Sequence, residues 1–120
     1  MTDVEIWHNP RCNKSRAALE LLTSKGLTPR VVAYLESPPT NDRLDQVLAM
    51  LGMEPRELMR KGEPPYRELG LDDASLDRGT LIRAMVEHPV LIERPIVIAN
   101  GRAVVGRPPE RVLDVLSRRA

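Results

Sequence analysis

The sequence predicts an α/β domain, a mixed four-stranded sheet in which a βαβ half and a ββα half are separated by a helical insertion at about 40–88. Two β-branched or apolar runs bracket an amphipathic helix within the first 35 residues, the signature of a parallel βαβ unit. Two further β-branched runs flank Asn100-Gly101, the strongest short hairpin signal. Between these halves only helical periodicity occurs. All 120 residues are read as one domain, long enough to bury roughly two thirds of the surface of its unfolded chain without a disulfide or metal staple.

Each element follows from its residues. "VEIWH" (4–8) alternates and stops at Asn9-Pro10, so it reads as a short strand. "SRAALELLTSK" puts Ala17, Ala18, Leu21 and Leu22 on one helical stripe, and Gly26 is placed to end the helix in the left-handed conformation. "RVVAYL" (30–35) is apolar after its arginine and suits a strand covered on both faces. After "ESPPTND", Thr40 or Asn41 can cap a helix whose Leu44, Val47, Leu48 and Leu51 recur at helical spacing up to Gly52. Pro55 suits the first turn of a short helix "PRELMRK", "GEPPYRELG" reads as a loop, and "LDRGTLIRAMVEH" gives a helix with Leu81, Ile82, Met85 and Val86 inward, ended before Pro89. "RPIVIANGRAVVG" is the hairpin, and "RPPERVLDVLSRR" a closing helix begun by proline. The order is that of a thioredoxin-like domain carrying an insertion. The eleven prolines are about twice the usual share, and nearly all fall in these turns and helix starts.

Composition excludes several functions. Eighteen basic and 17 acidic residues give a formal charge of +1, so no global field draws the chain to nucleic acid or to an anionic membrane. With no Phe, one Trp and two Tyr, it lacks the aromatic surface of base-stacking proteins. No signal-peptide pattern or apolar run of roughly 18 residues is present. The expectation is a cytoplasmic monomer whose single cysteine persists in a reducing compartment.

That cysteine, Cys12, lies in "HNPRCNKSR" between the first strand and the first helix. A helix N-terminus favours the thiolate, because unpaired N–H groups and the macrodipole stabilise negative charge there. His8, the cations Arg11 and Lys14, and Ser15 in a Cys-x-x-Ser spacing strengthen the case. The same N–H groups can cradle a tetrahedral anion. A lone cysteine is more often a small buried hydrophobe, but this turn is polar. For His8 a structural role and a catalytic one carry equal weight. Soft ligands are too few for a structural zinc set, His8, Cys12 and distant His88 only. A cysteine phosphatase would need an arginine six residues after its nucleophile; that position is Ala18, and Arg16 comes two residues early.

"HNPRCNKSR" resembles the motif His-Asn-Pro-x-Cys-x-x-Ser-Arg of the glutaredoxin-coupled arsenate reductases. "YLESPP" (34–39), "LMRKGEPPYRELGL" (58–71), "HPVLIERPIVI" (88–98) and "VVGRPPERVLDVL" (104–116) match the same family in order, so the likeness spans almost the whole chain. It implies a thioredoxin-like fold with Cys12 as nucleophile and Arg60, Arg94 and Arg107 as the oxyanion site. It implies no bound cofactor, glutathione as co-substrate, and glutaredoxin and arsenate or a similar oxyanion as partners. Guanidinium forks suit that anion because they are always charged and meet two oxygens at once. For most of the 15 arginines a solvated surface charge is the ordinary reading; Arg94 and Arg107 stand out by lying beside the predicted strand pair. Thioredoxin-like folds also set a cis proline against the active-site cysteine, which predicts a cis Arg94-Pro95 bond. One thiol cannot supply two electrons through an internal disulfide, so an external thiol is required.

The chain stops at Ala120, where the dedicated resistance enzymes carry a longer C-terminal segment, and Arg11, Asn13 and Lys14 make its active-site turn bulkier and more basic. It looks most like the shorter relatives. Two alternatives belong to other classes. The Spx regulators share the fold and a similar Arg-Pro-Ile segment but bind RNA polymerase, many through a Cys-x-x-Cys switch; here position 15 is serine. A glutathionylated thiol carrier without oxyanion preference is the other.

Overall fold

A computed structural model describes residues 3–116. The chain divides into two compact units, one formed by residues 1–37 and 94–120 and the other by 38–93. The helical segment is thus a little longer than the expected 40–88.

The first unit is built on a four-stranded sheet of order β2-β1-β3-β4, with β1 Val4–Trp7, β2 Arg30–Val32, β3 Ile96–Ala99 and β4 Arg102–Val105. β1 runs parallel to β2 and antiparallel to β3, and β3 is antiparallel to β4. Helix α1 (Asn13–Ser24) connects the parallel pair, as a βαβ crossover requires. Asn100 and Gly101 take φ of 56° and 72°, the left-handed pair that a two-residue hairpin needs to match strand twist. Val4, Ile6, Ala18, Leu22, Val97, Ala99, Val104, Val112 and Val115 form one buried cluster.

β2 corrects an expectation. It ends at Val32 and is not covered on both faces: Arg30 is exposed and Val31 is 48% exposed. The sheet order makes β2 an edge strand. Beyond it the chain turns, Ser37 N–H donating to the Ala33 carbonyl at 2.8 Å, and Tyr34 is buried.

The closing segment is also different. Pro109–Val115 is a 3₁₀ helix rather than an α-helix. Its buried residues, Val112 and Val115, are three apart, and residues at that spacing eclipse one another when there are three residues per turn. Asn100 Nδ2 donates to the Val115 carbonyl at 2.9 Å and Arg102 Nη1 to the Asp114 carbonyl at 3.1 Å, so the hairpin satisfies carbonyls the helix leaves open. The last residues of the expected helix, 117–119, lie outside the described residues.

In the second unit, α2 (Asn41–Leu51) begins at Thr40, whose Oγ1 accepts from Arg43 N–H at 3.0 Å, and ends at left-handed Gly52. α5 (Arg78–Glu87) begins at Asp77, which accepts from Thr80 N–H at 2.8 Å. α2 packs on α5, and Leu44, Val47 and Leu48 of the one helix and Leu81, Ile82 and Met85 of the other are all buried. α3 (Pro55–Leu58) is shorter than "PRELMRK" suggests, because Met59 turns extended and pairs antiparallel with Ile92, which follows a 3₁₀ turn at Pro89–Leu91. The segment read as a loop contains α4 (Pro64–Glu68). Pro64 and Pro65 fit its first turn, where a missing N–H costs nothing and φ is already set.

Candidate active site

The strand registers gather the chemistry-bearing segments of the first unit at one end of the sheet. Trp7 pairs with Ile96, and Ile96 with Val105. The turn 8–12, the start of β3 and the exit of β4 therefore leave the sheet together. Arg94-Pro95 enters at that end and Gly106-Arg107 departs from it. Both Arg94-Pro95, as expected, and Arg107-Pro108 are cis.

Cys12 is the N-cap of α1, extended at φ −97° and ψ 122°, and its side chain makes no capping bond. It is partly exposed. Its N–H donates to the Asn9 carbonyl at 3.0 Å and its carbonyl accepts from Arg16 N–H at 3.0 Å, so the backbone is fixed while the sulfur is left for chemistry. The helix terminus behind it offers N–H groups and the positive end of the dipole to bound negative charge.

His8 and Ser15 meet each other across the turn that carries Cys12. His8 Nδ1 and Ser15 Oγ are 2.6 Å apart, and Asn9 N–H donates to the same Oγ at 3.0 Å. Ser15 is fully buried and His8 nearly so. Burial holds the His8 pKa below its ordinary 6.5, and the positive charge of Arg16 lowers it further, so the ring is neutral at pH 7. Asn9 N–H uses one lone pair of Oγ, and the hydroxyl makes its second bond with Nδ1 of the ring. The pair ties the end of β1 to the first turn of α1.

Arg94 and Arg107 adjoin. Arg107 Nη1 donates to the Arg94 carbonyl at 3.4 Å, and the Nε and Nη1 atoms of Arg94 are buried. Arg60 belongs to the helical unit. There its N–H donates to the Leu91 carbonyl at 2.7 Å, its Nη1 pairs with Glu63 at 2.7 Å and its Nε with Glu93 at 3.6 Å. Among the described residues, no cluster of three or more His, Cys, Asp or Glu side chains could hold a metal ion. No helix among them is long and apolar enough to cross a membrane.

The parts played by two residues escape sequence reasoning. A Cβ on Gly106 would lie 3.0 Å from both Pro95 Cγ and Val112 Cγ1 and 3.6 Å from Ala18 Cβ. Only glycine lets the exit of β4 pass this close to Pro95, whose carbonyl accepts the Gly106 N–H at 2.9 Å. A glycine just before Arg107-Pro108 at the end of a β-branched run is the available signal. Arg16 is the second. Its Nη1 donates to the Pro10 carbonyl at 2.8 Å and its Nη2 to Asn13 Oδ1, clamping the turn on either side of Cys12.

Comparison with known proteins shows the family. The ArsC family model matches residues 7–115. An Escherichia coli K12 protein named Uncharacterized protein YfgD is 54% identical, with 94% of this chain aligned to 96% of that one. A Neisseria meningitidis protein named Arsenate reductase is 50% identical over 97% of this chain and 100% of its own length. A solved structure titled Arsenate reductase from Vibrio cholerae superposes with a TM-score of 0.92 at 49% identity, covering 95% of this chain and 98% of that one.

Proposed function

The chain belongs to the ArsC family, and from that premise we propose that it is an arsenate reductase with a thioredoxin-like fold, reducing arsenate to arsenite through Cys12. The observation that carries the reading is Cys12 itself, the N-cap of a twelve-residue helix with its side chain uncommitted and its backbone held on both sides. Such a sulfur can attack a tetrahedral oxyanion docked on the N–H groups behind it.

Cys12 sulfur attacks arsenic as an oxygen of arsenate leaves as water, forming a sulfur–arsenic bond. Glutathione supplies the second sulfur. Two thiols then become one disulfide while arsenic accepts their two electrons, so arsenate, two thiols and protons give arsenite, a disulfide and water. Cys12 is the one cysteine of the chain, and the disulfide therefore joins Cys12 to glutathione. Glutaredoxin returns the protein to its thiol form. No bound cofactor takes part. A glutathione-based cycle belongs to a reducing compartment, and the cytoplasm is the place we assign it.

Arg94 and Arg107, adjacent at the sheet end from which the Cys12 turn emerges, hold oxyanion charge. Arg60 is assigned to the oxyanion by its motif position. His8 and Ser15 are positioning residues: their hydrogen bond brackets Cys12 and fixes where the sulfur stands.

The test is arsenate turnover with glutathione, glutaredoxin, glutathione reductase and NADPH. Turnover with glutaredoxin, its absence in Cys12→Ser, and a glutathione adduct on Cys12 when glutaredoxin is withheld are the expected results. Equal rates with thioredoxin alone would contradict the mechanism. Adduct formation without any arsenate turnover would favour a thiol carrier.

A further inference from the structure

The turn that carries Cys12 is organised by Asn9, a residue with no part in the oxyanion site as described above. Its N–H donates to Ser15 Oγ, its carbonyl accepts the Cys12 N–H and its side-chain Oδ1 accepts the Arg11 N–H, each at 3.0 Å. From one position these bonds reach six, three and two residues along the chain. Pro10, which follows, has no N–H to place, and Asn then Pro are favoured at the first two positions of a β-turn. The Oδ1 bond closes an Asx-turn inside that β-turn.

The backbone donors around the sulfur are divided as a result. Those of Asn9, Arg11 and Cys12 are occupied within the turn, and the Arg16 N–H goes to the Cys12 carbonyl at 3.0 Å. The N–H groups of Asn13, Lys14 and Ser15 form the first turn of α1 and have no acceptor inside the helix. A capping side chain would take one of them, but Cys12 makes no capping bond. Three consecutive donors are therefore open beside the sulfur. Without the Asn9 acceptor, the Arg11 N–H is released and the peptide leading into Cys12 loses the bond that fixes its direction, so the sulfur no longer has one place relative to those donors.

We propose that Asn9 is a positioning residue of the reaction: through Oδ1 it holds the Arg11–Cys12 backbone so that the sulfur and the N–H groups of residues 13–15 address the same oxyanion. The inference rests on the reading of Cys12 as a thiol that attacks a docked oxyanion, and it adds a residue that touches neither the anion nor the sulfur.

The probe is inorganic phosphate, a tetrahedral anion that thiols do not reduce, titrated into the full chain and followed by amide NMR. The amide protons of Asn13, Lys14 and Ser15 should move much more than that of Arg11. Asn9→Ala should weaken phosphate binding about threefold to tenfold, the effect of one lost hydrogen bond. Asn9→Ser, whose hydroxyl closes the same turn more weakly, should recover part of that affinity. Asn9→Asp keeps the acceptor and adds a negative charge, so it should hold the melting temperature of the parent yet bind phosphate more weakly than Asn9→Ser. In arsenate turnover, Asn9→Ala should lower kcat at least about fivefold, with partial rescue by Asn9→Ser. A merely structural residue would lower the melting temperature and leave both kcat and phosphate affinity of the folded protein as they were. The proposal is overturned by phosphate shifts that avoid residues 13–15, by kcat and phosphate affinity of Asn9→Ala within about twofold of the parent, or by Asn9→Ser performing no better than Asn9→Ala. If Asn9→Ala does not fold, Asn9→Asp decides, and phosphate affinity equal to that of the parent overturns the proposal. If the parent reduces arsenate while kcat and phosphate affinity ignore Asn9→Ala, the role of Asn9 fails and the arsenate reading stands. If arsenate is not reduced but phosphate binding at residues 13–15 still depends on Asn9, the role of Asn9 in placing the oxyanion stands and the arsenate reading fails.

Discussion

Replacing Ser15 by Ala removes one oxygen from a fully buried position and leaves two polar groups without the partner they have now. Asn9 N–H loses an acceptor at 3.0 Å and His8 Nδ1 its partner at 2.6 Å. A buried group left unsatisfied costs about 1–3 kcal/mol. Two would cost about 2–6 kcal/mol, but Asn9 is only partly buried and can recover a water, which brings the sum toward its lower half. Alanine returns about 0.5 kcal/mol through its better helix propensity. The expected net loss is about 2–3 kcal/mol, a large part of the stability of a domain this size. Urea unfolding monitored by Trp7 fluorescence and extrapolated linearly measures it. The paired variant His8→Ala should be strongly non-additive with Ser15→Ala, since each removes the same bond. Arsenate turnover by the folded Ser15→Ala protein should fall at least about tenfold, because the turn that aims Cys12 loses its tie. A stability change below about 0.5 kcal/mol, or additive single and double variants, would refute the account of this bond.

Three other outcomes can be measured on the same protein. Because His8 titrates near 6.5 when unfolded and lower when folded, the unfolded chain binds more protons between those values; stability is held above pH 6.5, falls as pH drops through it and levels off below the folded pKa, and His8→Gln should flatten urea midpoints measured from pH 7.5 to 5. Gly106→Ala forces a methyl to 3.0 Å from Pro95 and Val112 and should cost about 1–3 kcal/mol, read as a lower melting temperature; an unchanged melt would show that the neighbours yield freely. Cys12→Ser should abolish arsenate turnover yet keep or raise the melting temperature by up to the effect of about 1 kcal/mol, because serine is a good N-cap where Cys12 makes no capping bond; a destabilised variant would give the cysteine a structural role.

The chain's local features were legible because local physics fixes them. Thr40 caps its helix, Gly26 and Gly52 follow helix ends in the left-handed region, and Asn100-Gly101 makes the hairpin, each through bonds reaching only a few residues along the chain. The motif residues around Cys12 were legible for the same reason, since a strand end followed by a helix start fixes where the sulfur stands. The nearby partners of that sulfur were less so. Ser15 was singled out by spacing, but that it holds His8 and Asn9 depends on how the turn folds back on itself.

What the sequence by itself determined is therefore the order of the strands and the longer helices, several of the caps and turns between them, and the thiol at the head of α1. Tertiary structure decided the rest. An apolar run does not declare whether it will be central or at an edge, and β2 came to the edge because β3 pairs with the other side of β1. Helical periodicity in "PRELMRK" lost to a pairing between Met59 and Ile92, residues distant in sequence. The closing helix became 3₁₀ where Val112 and Val115 enter the core at a spacing of three. Gly106 matters only because Pro95 and Val112 crowd it. These outcomes depend on packing between segments far apart in the chain, and such contacts carry no period, cap or turn residue by which one segment alone could announce them.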